Sequence, residues 1–510
     1  MEVKTRLVAV LEIGSTAIRL LVAEIFPGGG WQAMDKASKP VALGRDVFNT
    51  GGVSRESFLE CITMLKNFRE FLQGWGITDS DIHVVATSAL RAARNRDVIV
   101  DRIRQETGLK VSIVEGIEEN RLMYLAVRFA LKNDMPLFWR ANSIIMEIGG
   151  GSTEIMLLRR GQMVAAHSLK LGTILIDQAS RIGSSSLHER FINENIRNTS
   201  EILSSELDLS HVRTFVIVGF DASIAAARVG KNMNEHCWIV TREAFTEFVG
   251  VVQNYSVEEC VERLQMSYWE AETFIPGILI NKLLLERTGA AQVVVPRISM
   301  REGLLIDLAQ GVDPRLQEDF YTQILASAVN LGRKYNNDER HCRHVASLCM
   351  ILFDALAKEH GMSRRERMVL EVAAMVHEIG MFIRQAEHNL HGQYIIKNSE
   401  IFGLKREEKD IISNVVRYHR GNVPSSADID YIALQSEERT LVLKMVSLLR
   451  VADSMDRGHS QQIKLRSVEK RGETLVLCTD GTRDLSLELL GLHEKCGLFQ
   501  DVFGYKVVVD

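Results

Sequence analysis

A run of three glycines followed by hydroxyl side chains is the segment of this 510-residue chain best suited to binding an anion. Gly149, Gly150 and Gly151 lack Cβ atoms, so the backbone can approach an anion closely and donate several N–H groups to it. Ser152 and Thr153 add hydroxyl donors directly after the glycines. This order of residues is typical of a loop that binds phosphate.

Acidic side chains flank the loop. Glu147 precedes it and Glu154 follows it, and Mg2+ prefers carboxylates, waters and phosphate oxygens as ligands. A cation held there would neutralise the charge that develops on a phosphate during transfer. Arg91 can grip the same phosphate through its planar guanidinium, and Glu119 can orient and deprotonate a water. The residues therefore indicate metal-assisted attack of water on a phosphate.

Each of these residues also has an ordinary structural interpretation. A run of glycines often forms no more than a tight turn. Glu118 and Glu119 are two acids at a predicted helix start, where the helix dipole favours negative charge. Arg91 and Arg301 are equally suited to salt bridges. The Ser-Thr-Glu that follows the glycines, and the repeat of the motif elsewhere, favour the phosphate interpretation.

The Glu-Ile-Gly motif occurs twice, each time between two apolar runs. It appears in LVAVLEIGSTAIRLLVAEIF and again in SIIMEIGGGSTEIMLLRRG. Each copy is typical of a hairpin with a glycine-centred turn, and an internal repeat predicts two homologous lobes. The first copy adds a candidate metal ligand, Glu12, and four candidate phosphate-binding residues, Gly14, Ser15, Thr16 and Arg19.

Strand and helix patterns predict four domains. Helices and strands alternate as in α/β proteins over the first lobe, 1–135, and the second lobe, 136–312. Turn residues in QGVDPRL, near 310–316, mark a boundary. Helices then follow one another over 317–460, which predicts an all-α domain, and strand-like runs in 461–510 predict a small α+β module.

Composition excludes several classes of protein. Hydrophobic residues make up 46% and charged residues 25% of the chain, which is typical of a folded globular protein. The net charge of −5 argues against a nucleic-acid-binding surface. No run approaches the ~20 apolar residues of a membrane span, and the scattered cysteines form no CxxC pair. We expect a cytoplasmic enzyme with no membrane or nucleic-acid partner.

Six motifs in order carry a family resemblance. The chain is similar to the exopolyphosphatase/guanosine pentaphosphate phosphohydrolase branch of the actin-like superfamily, over about residues 6 to 310 and on through the helical domain. The matching segments are Glu12-Ile-Gly-Ser-Thr16 with Arg19, Ala86-Thr-Ser-Ala-Leu-Arg91, Gly116-Ile-Glu118-Glu119, Gly149 to Glu154, Ser168-Leu-Lys-Leu-Gly172 and Arg301-Glu302-Gly303.

The resemblance implies the fold, the substrate and the base. Two actin-like ATPase lobes of the ribonuclease H-like class would hold inorganic polyphosphate or guanosine pentaphosphate, with Mg2+ as cofactor. Glu119 corresponds to the family's catalytic glutamate. We also expect a homodimer.

The chain departs from the family pattern at several positions. Glu12 and Glu147 stand where the family usually has Asp, and Thr16 stands where it has Asn. The Gly-Thr loop of the second subsite reads Gly219-Phe-Asp-Ala-Ser223, whose acid would repel a phosphate. Leu175 replaces an arginine, and Glu270-Ala-Glu272 replaces Arg-Ala-Asp. These changes leave the preferred chain length and nucleotide use open.

The helical domain resembles an HD-type domain. His341 lies in its first helix, His377 and Glu378 stand at the His-Asp position, and Asp453 lies in LLRVADSMDR. Imidazole and carboxylate groups from separate helices can converge on a divalent metal. Binding of a polyphosphate tail and dimer formation are alternative roles for this domain.

The sequence is compatible with three functions. The first is hydrolysis of polyphosphate or guanosine pentaphosphate. The second is a regulatory protein that binds polyphosphate, guanosine tetraphosphate or guanosine pentaphosphate with weak turnover or none, an idea favoured by the altered loop at 219–223. The third, a sugar or acetate-type kinase, ranks low because the sequence has no second-substrate motif.

Overall fold

The computed structural model describes residues 5–27, 30–131, 136–176, 185–309, 314–480 and 485–510. The chain divides into two compact units, Met1–Asp319 and Phe320–Asp510. The predicted boundary near 310–316 lies partly outside the described residues, and the helix that follows it begins at Pro314.

The first unit contains two sheets of related topology. The first sheet has five strands in the order β3-β2-β1-β4-β5, in which β1–β3 form an antiparallel meander and β4 and β5 extend β1 in parallel. Apolar side chains on both faces of this sheet are buried and form the hydrophobic core around it. The strands are β1 Arg6–Ile13, β2 Ala17–Ile25, β3 Trp31–Pro40, β4 Ile82–Ala86 and β5 Val111–Ile113.

The second sheet repeats this arrangement and adds two strands. Its order is β10-β11-β12-β9-β6-β7-β8, with a meander of β6–β8 extended in parallel by β9 and β12. The two copies of the Glu-Ile-Gly motif form the hairpins β1–β2 and β6–β7. The strands are β6 Asn142–Ile148, β7 Thr153–Arg159, β8 Gln162–Leu169, β9 Val212–Val218, β10 Lys231–Asn234, β11 Cys237–Thr241 and β12 Gln292–Pro296.

Helices connect and cover these strands. The helix that follows β5 begins at Gly116 and carries the Glu118-Glu119 pair in its first turn. The helices of this unit are α1 Leu43–Thr50, α2 Arg55–Gly74, α3 Ser88–Ala92, α4 Arg96–Thr107, α5 Gly116–Leu131, α6 Pro136–Arg140, α7 Ser185–Glu206, α8 Phe220–Val229, α9 Arg242–Val252, α10 Val257–Leu264, α11 Tyr268–Glu286 and α12 Met300–Ala309, with 3-10 turns at Asp79–Asp81 and Leu209–His211.

The second unit is mainly helical and ends in a three-stranded sheet. One hydrophobic core contains side chains from both parts, such as Leu449, Leu477 and Phe499. Its helices are α13 Pro314–Lys334, which begins before the unit boundary, α14 Glu339–Ala355, α15 Ala357–His360, α16 Arg364–Val376, α17 His388–Lys397, α18 Arg406–Tyr418, α19 Ile429–Ile432, α20 Ser436–Ser454, α21 Ser486–Lys495 and α22 Gly497–Phe503, with a 3-10 turn at Ile379–Phe382. Its strands are β13 Leu465–Arg471, β14 Thr474–Thr479 and β15 Lys506–Val509.

Candidate functional site

The turns of the two hairpins line one cleft in the first unit. The cleft has a volume of about 450 Å3. Each turn closes in the same way, because the Gly14 N–H donates to the Ala17 carbonyl at 3.0 Å and the Gly149 N–H donates to the Ser152 carbonyl at 2.8 Å. The predicted phosphate-binding residues that line the cleft are Gly14, Ser15, Thr16, Arg19, Gly149, Gly150 and Ser152.

Two predicted members of the second turn face away from the cleft. Gly151 packs against Phe48, whose Cζ would lie 2.0 Å from an added Cβ. Thr153 is buried and donates its hydroxyl to the Leu171 carbonyl. These two residues therefore hold the turn in shape, and the cleft-facing part of this turn is Gly149, Gly150 and Ser152.

The two turns touch each other at Gly150. A Cβ on Gly150 would lie 2.8 Å from the Ser15 Cβ. On the other side of Gly150 the backbone of Gly172 approaches so closely that a Cβ there would lie 2.3 Å from the Gly150 carbonyl oxygen. Both positions need glycine because no side chain fits between these backbones.

Glu119 lies in the first turn of α5 and is buried beside Arg91. The Arg91 Nη1 donates to Glu119 Oε2 at 3.0 Å and to the Val114 carbonyl at 2.7 Å. Its Nη2 lies 3.4 Å from the Ser152 Oγ. Burial raises the pKa of Glu119, and the Arg91 charge opposes that rise. Arg91 thus connects the predicted base to the second turn.

Glu154 pairs with Glu119. Its Oε1 accepts from the Ser168 hydroxyl at 2.8 Å, and its Oε2 accepts from the Asn120 Nδ2 at 3.1 Å. Burial raises the pKa of Glu154 well above its usual value, and the negative charge of Glu119 adds to the rise. Burial therefore raises the pKa of both acids, and their mutual interaction raises that of Glu154 further.

Glu12 and Glu147 add two further carboxyl groups to the cleft. Burial, followed by the charges of Glu12 and Glu119, raises the pKa of Glu147 to about 8. Glu12 is instead compensated, since its Oε1 lies 3.6 Å from Arg19 and its Oε2 lies 3.3 Å from Arg301. Arg301 therefore lines the cleft and forms an ion pair with Glu12 there.

The cleft acids were predicted to hold a cation. Among the described residues, no three of these carboxylates bring ligand atoms within 4.8 Å of one another, so Glu12, Glu147 and Glu154 do not form a closed metal cage. Crowded carboxylates with raised pKa values still suit a hard divalent cation, whose charge would favour their ionised forms. Such a cation would use one or two of them and complete its shell with water and phosphate oxygens.

Several residues of the cleft were missed by sequence reasoning. Lys36 donates to Glu302 at 2.6 Å, the Ser15 and Ser88 hydroxyls lie 3.0 Å apart, and Trp269 lies under the Arg19 guanidinium at 6.0 Å. Asn120 follows Glu119 directly, but only the approach of β7 to α5 reveals its bond to Glu154. Most of these contacts join residues far apart in the sequence, so they could not be predicted from it. Among the missed residues, only Ser88 had a signal in the sequence, because it lies in the motif Ala86 to Arg91.

The departure at 219–223 places an acid in the cleft wall. Asp221 is buried at the start of α8, and its Oδ2 accepts from the Asn281 Nδ2 at 2.5 Å. Burial raises the pKa of Asp221 to about 6. The group is therefore mainly ionised at neutral pH and repels an anion at this end of the cleft.

In the second unit the predicted HD-type residues also converge. The Nε2 atoms of His341 and His377 both lie 3.5 Å from Asp453 Oδ1. The Nδ1 of His341 lies 2.8 Å from Asp456 Oδ2, and the Nδ1 of His377 lies 2.8 Å from the Ala374 carbonyl. Because each Nδ1 faces an acceptor, each Nε2 can turn a lone pair toward the shared space.

Glu378 faces a neighbouring part of the same cluster. Three overlapping groups of possible metal ligands each contain two of the residues His341, His377 and Glu378. Two additional members, Cys342 and His459, were not predicted. The groups are His341, His377 and Asp453; His341, Glu378 and His459; and Cys342, His377 and Glu378.

Comparisons with known proteins identify the family. The family model described as "Ppx/GppA phosphatase family" matches residues 21–311. The chain belongs to the Ppx/GppA phosphatase family. A second model, "Ppx/GppA phosphatase, domain III", matches residues 325–489. The predicted membership is confirmed, and with it the predicted class of enzyme, a phosphoanhydride hydrolase.

Members of the Ppx/GppA family with curated names match most of the chain. A guanosine-5'-triphosphate,3'-diphosphate pyrophosphatase from Pseudoalteromonas atlantica is 24% identical over 457 residues, covering 88% of this chain and 85% of the relative. One from Aliivibrio fischeri strain MJ11 is 22% identical over 488 residues, covering 93% and 92%. An exopolyphosphatase structure from Cytophaga hutchinsonii matches with a TM-score of 0.54 and 18% identity, covering 60% of this chain and 99% of that one. This structural likeness supports the two-lobed fold.

The Ppx/GppA match does not test the remaining predictions. The HD-type character of the helical domain, the homodimer and the cytoplasmic location stay predictions. Within the described residues, no helix combines the length and apolar character needed to cross a membrane.

Proposed function

We propose that this Ppx/GppA phosphatase hydrolyses the terminal phosphate of a phosphoanhydride chain, either inorganic polyphosphate or guanosine pentaphosphate. The observation that carries the proposal is the contact of Arg91 with both Glu119 and Ser152, at 3.0 Å and 3.4 Å. This contact places a buried carboxylate beside a turn built to bind phosphate. A base and the phosphorus that its water attacks must lie this close to each other.

Each residue of the cleft has a separate role in the proposed reaction. The N–H groups and hydroxyls of Ser15, Gly150 and Ser152 bind and orient the terminal phosphate. Glu119 takes a proton from water while the water oxygen bonds to the terminal phosphorus. The bridging P–O bond breaks, and the shortened chain leaves as an anion. Arg91 stabilises negative charge on the phosphate oxygens as they pass through the transition state.

The interaction between Glu119 and Glu154 favours the ionised form of the proposed base. Arg91 favours the ionised form of Glu119, and the hydrogen bond between the two acids favours a proton on Glu154. Glu119 is then free to accept the proton of water. Asn120 and Ser168 hold Glu154 in place by donating to its two oxygens.

A divalent cation would be held by Glu147, with Glu12 beside it. When bound, the cation supplies positive charge to the phosphate oxygens. Glu147 has no arginine within salt-bridge distance among its described neighbours, whereas Glu12 has two. Glu147 is therefore the better ligand, and Glu12 keeps Arg19 and Arg301 directed into the cleft.

Phosphate release from long polyphosphate, tripolyphosphate and guanosine pentaphosphate tests the proposal. We expect release that needs Mg2+ and stops on addition of a chelator. The regulatory alternative would be favoured by tight binding of guanosine tetraphosphate together with no release from any of the three substrates.

A metal centre in the second unit is a second candidate function. Its support is the pair of imidazoles, His341 and His377, whose Nδ1 atoms face fixed acceptors and whose Nε2 atoms share Asp453. Among the residues that the structure describes, neither Nε2 has a hydrogen-bond partner of ordinary geometry, although both are buried, and a buried polar atom without a partner is costly. A divalent ion would satisfy both.

Calorimetry with Mn2+ alone tests this centre. His377→Ala should remove one class of bound ion, whereas the exposed His211→Ala, in the first unit, should leave it unchanged. Equal Mn2+ stoichiometry in both variants would argue against the centre.

A further inference from the structure

Arg297 lies at the same edge of the second sheet as the proposed phosphate-binding turn. Strands β6, β9 and β12 are parallel neighbours. Gly149 directly follows the end of β6 and Arg297 directly follows the end of β12, so both lie at the carboxyl ends of the strands, where sheets of this kind bind ligands. Two strand spacings of about 4.8 Å each separate β6 from β12. Both residues line the cleft.

Arg297 differs from the other cations of the cleft because it has no carboxylate partner. Arg19 and Arg301 lie 3.6 Å and 3.3 Å from Glu12, and Lys36 is likewise paired with a buried acid. In the part of the chain that the structure describes, no carboxylate forms an ion pair with Arg297. Its positive charge is therefore not neutralised within the cleft and attracts an anion that enters.

Neutral groups hold Arg297 in place. The carbon of its guanidinium lies 3.7 Å from the centre of the Trp238 ring, its Nη2 donates to the Asn232 Oδ1, and its backbone N–H donates to the His236 carbonyl at 2.7 Å. A guanidinium carries five N–H donors, and Asn232 takes one of them. The remaining donors can bind a ligand, and a side chain that is already fixed loses less entropy when it does so.

The cleft wall also contains an acid that opposes phosphate binding. Asp221 lies at the start of α8, just after β9, the strand between β6 and β12. Its Oδ2 accepts from Asn281, and it forms no ion pair with Arg297 within the described residues. A phosphate in this part of the cleft meets the negative charge of Asp221 at neutral pH. The unpaired Arg297 on the same wall offsets that repulsion.

We propose that Arg297 binds a phosphate group of the substrate other than the one that is hydrolysed. The inference rests on the hydrolytic function proposed for the cleft and names a residue that determines its specificity. The terminal phosphate lies on the turn after β6, so a substrate needs further phosphate groups to reach Arg297 beyond β9. Such a group is either an inner phosphate of a linear chain or the 3'-diphosphate of guanosine-5'-triphosphate,3'-diphosphate.

Two substitutions test the proposal from opposite directions. Arg297→Gln removes the charge and keeps a polar side chain. Asn232→Asp leaves Arg297 in place and gives it the carboxylate partner that it lacks, at an exposed position that does not line the cleft. Arg263→Gln is the matched control, because Arg263 stacks on Tyr255 at 4.9 Å in the same lobe and does not line the cleft.

The kinetic constants are measured with long polyphosphate, guanosine pentaphosphate and GTP. Arg297→Gln should raise KM for long polyphosphate, guanosine pentaphosphate or both at least about tenfold, which corresponds to about 1.4 kcal/mol. It should leave kcat within about twofold, because a contact with a group that does not react stabilises the ground state and the transition state equally. Arg263→Gln should change neither constant.

Asn232→Asp should raise the same KM, because the new carboxylate neutralises Arg297. If Arg297 served only to stabilise the fold, the added ion pair would leave KM unchanged. The substrates also distinguish the two sources of the phosphate group. A raised KM for long polyphosphate places the group in a linear chain, whereas a raised KM for guanosine pentaphosphate with no change for GTP places it on the 3'-diphosphate.

Two results would overturn the inference. They are an unchanged KM for both long polyphosphate and guanosine pentaphosphate in Arg297→Gln, and a fall in kcat without a change in KM. If the wild-type protein hydrolyses none of the substrates, the proposed function fails, and calorimetric binding of long polyphosphate and guanosine tetraphosphate decides the inference. Weaker binding of either probe by Arg297→Gln than by Arg263→Gln would support it, and equal binding of both would overturn it.

Discussion

The Arg91 guanidinium donates to Glu119 at 3.0 Å and reaches Ser152 at 3.4 Å. One side chain of the first lobe thus contacts both the proposed base of that lobe and the proposed phosphate-binding turn of the second. Arg91 and these two partners lie in three separate segments of the sequence, and each segment belongs to a motif that was singled out in the sequence. In the proposed reaction, Arg91 therefore helps to fix the position of the base relative to the phosphate.

Glu119→Gln should abolish turnover and preserve substrate binding. The amide keeps the size of the side chain but cannot accept a proton from water, and loss of a general base typically costs about 100-fold to 10,000-fold in rate. Phosphate release and calorimetric binding measure the two effects. Glu115→Gln is the control, since Glu115 is an exposed acid at the start of the same segment. Wild-type turnover in Glu119→Gln would show that another residue is the base.

Glu147→Gln should stabilise the protein at high pH when no divalent cation is present. The pKa of Glu147 is raised to about 8 in the folded state, above its usual value near 4.5. Folding therefore binds a proton between these pH values, and the stability contributed by the protonated acid is lost as pH rises toward 8. The Tm of the variant should exceed that of the wild type at pH 9, by about 2–4 °C for each kcal/mol relieved.

The same comparison at pH 4 should show no difference, because Glu147 is then protonated in both the folded and the unfolded chain. Adding Mg2+ at pH 9 should raise the Tm of the wild type more than that of the variant. An identical pH trend in both proteins would show that Glu147 ionises normally.

Glu147→Asp should lower the rate if the cleft is adapted to the longer acids. Shortening the side chain withdraws the carboxylate by about 1 Å, and a displacement of this size can cost about 100-fold. Glu12→Asp should act similarly, because its oxygens would retreat from Arg19 and Arg301. A double Glu→Asp variant faster than the parent would instead indicate that the glutamates mark decayed catalysis, which the regulatory hypothesis requires.

Asp221→Asn should improve the use of long polyphosphate above pH 6. The pKa of Asp221 is about 6, so the carboxylate repels phosphate at neutral pH and ceases to do so as it becomes protonated. We expect KM for long polyphosphate to fall about twofold to tenfold at pH 8, with the variant and the wild type converging at pH 5. A shift of equal size at both pH values would show that charge is not the cause.

The sequence predicted the parts of the site that are local in the chain. Gly149, Glu119 and Arg91 lie in short motifs whose spacing is itself the signal. It could not tell that Gly151 and Thr153 turn away from the cleft, because that depends on Phe48 and Leu171.

Contacts between residues far apart in the sequence could not be predicted, for the same reason. Lys36 lies on β3, whose sequence WQAMDKASKP has no clear apolar alternation, so neither the strand nor the lysine was recognised. Strands β10 and β11 were likewise not recognised, because they are short and KNMN is polar. In the helical unit His459 joins the predicted cluster by stacking on His341, with ring centroids 3.8 Å apart, a contact that no spacing rule anticipates.

The contact between Gly150 and Ser15 limits how the two halves of the repeat can diverge in evolution. A side chain gained at 150 would collide with the side chains of both Ser15 and Ile174. Glycine at 150 and a small residue at 15 are therefore expected to be retained together in related sequences. The duplicated halves are tied to each other through these two residues, however freely the rest of each lobe changes.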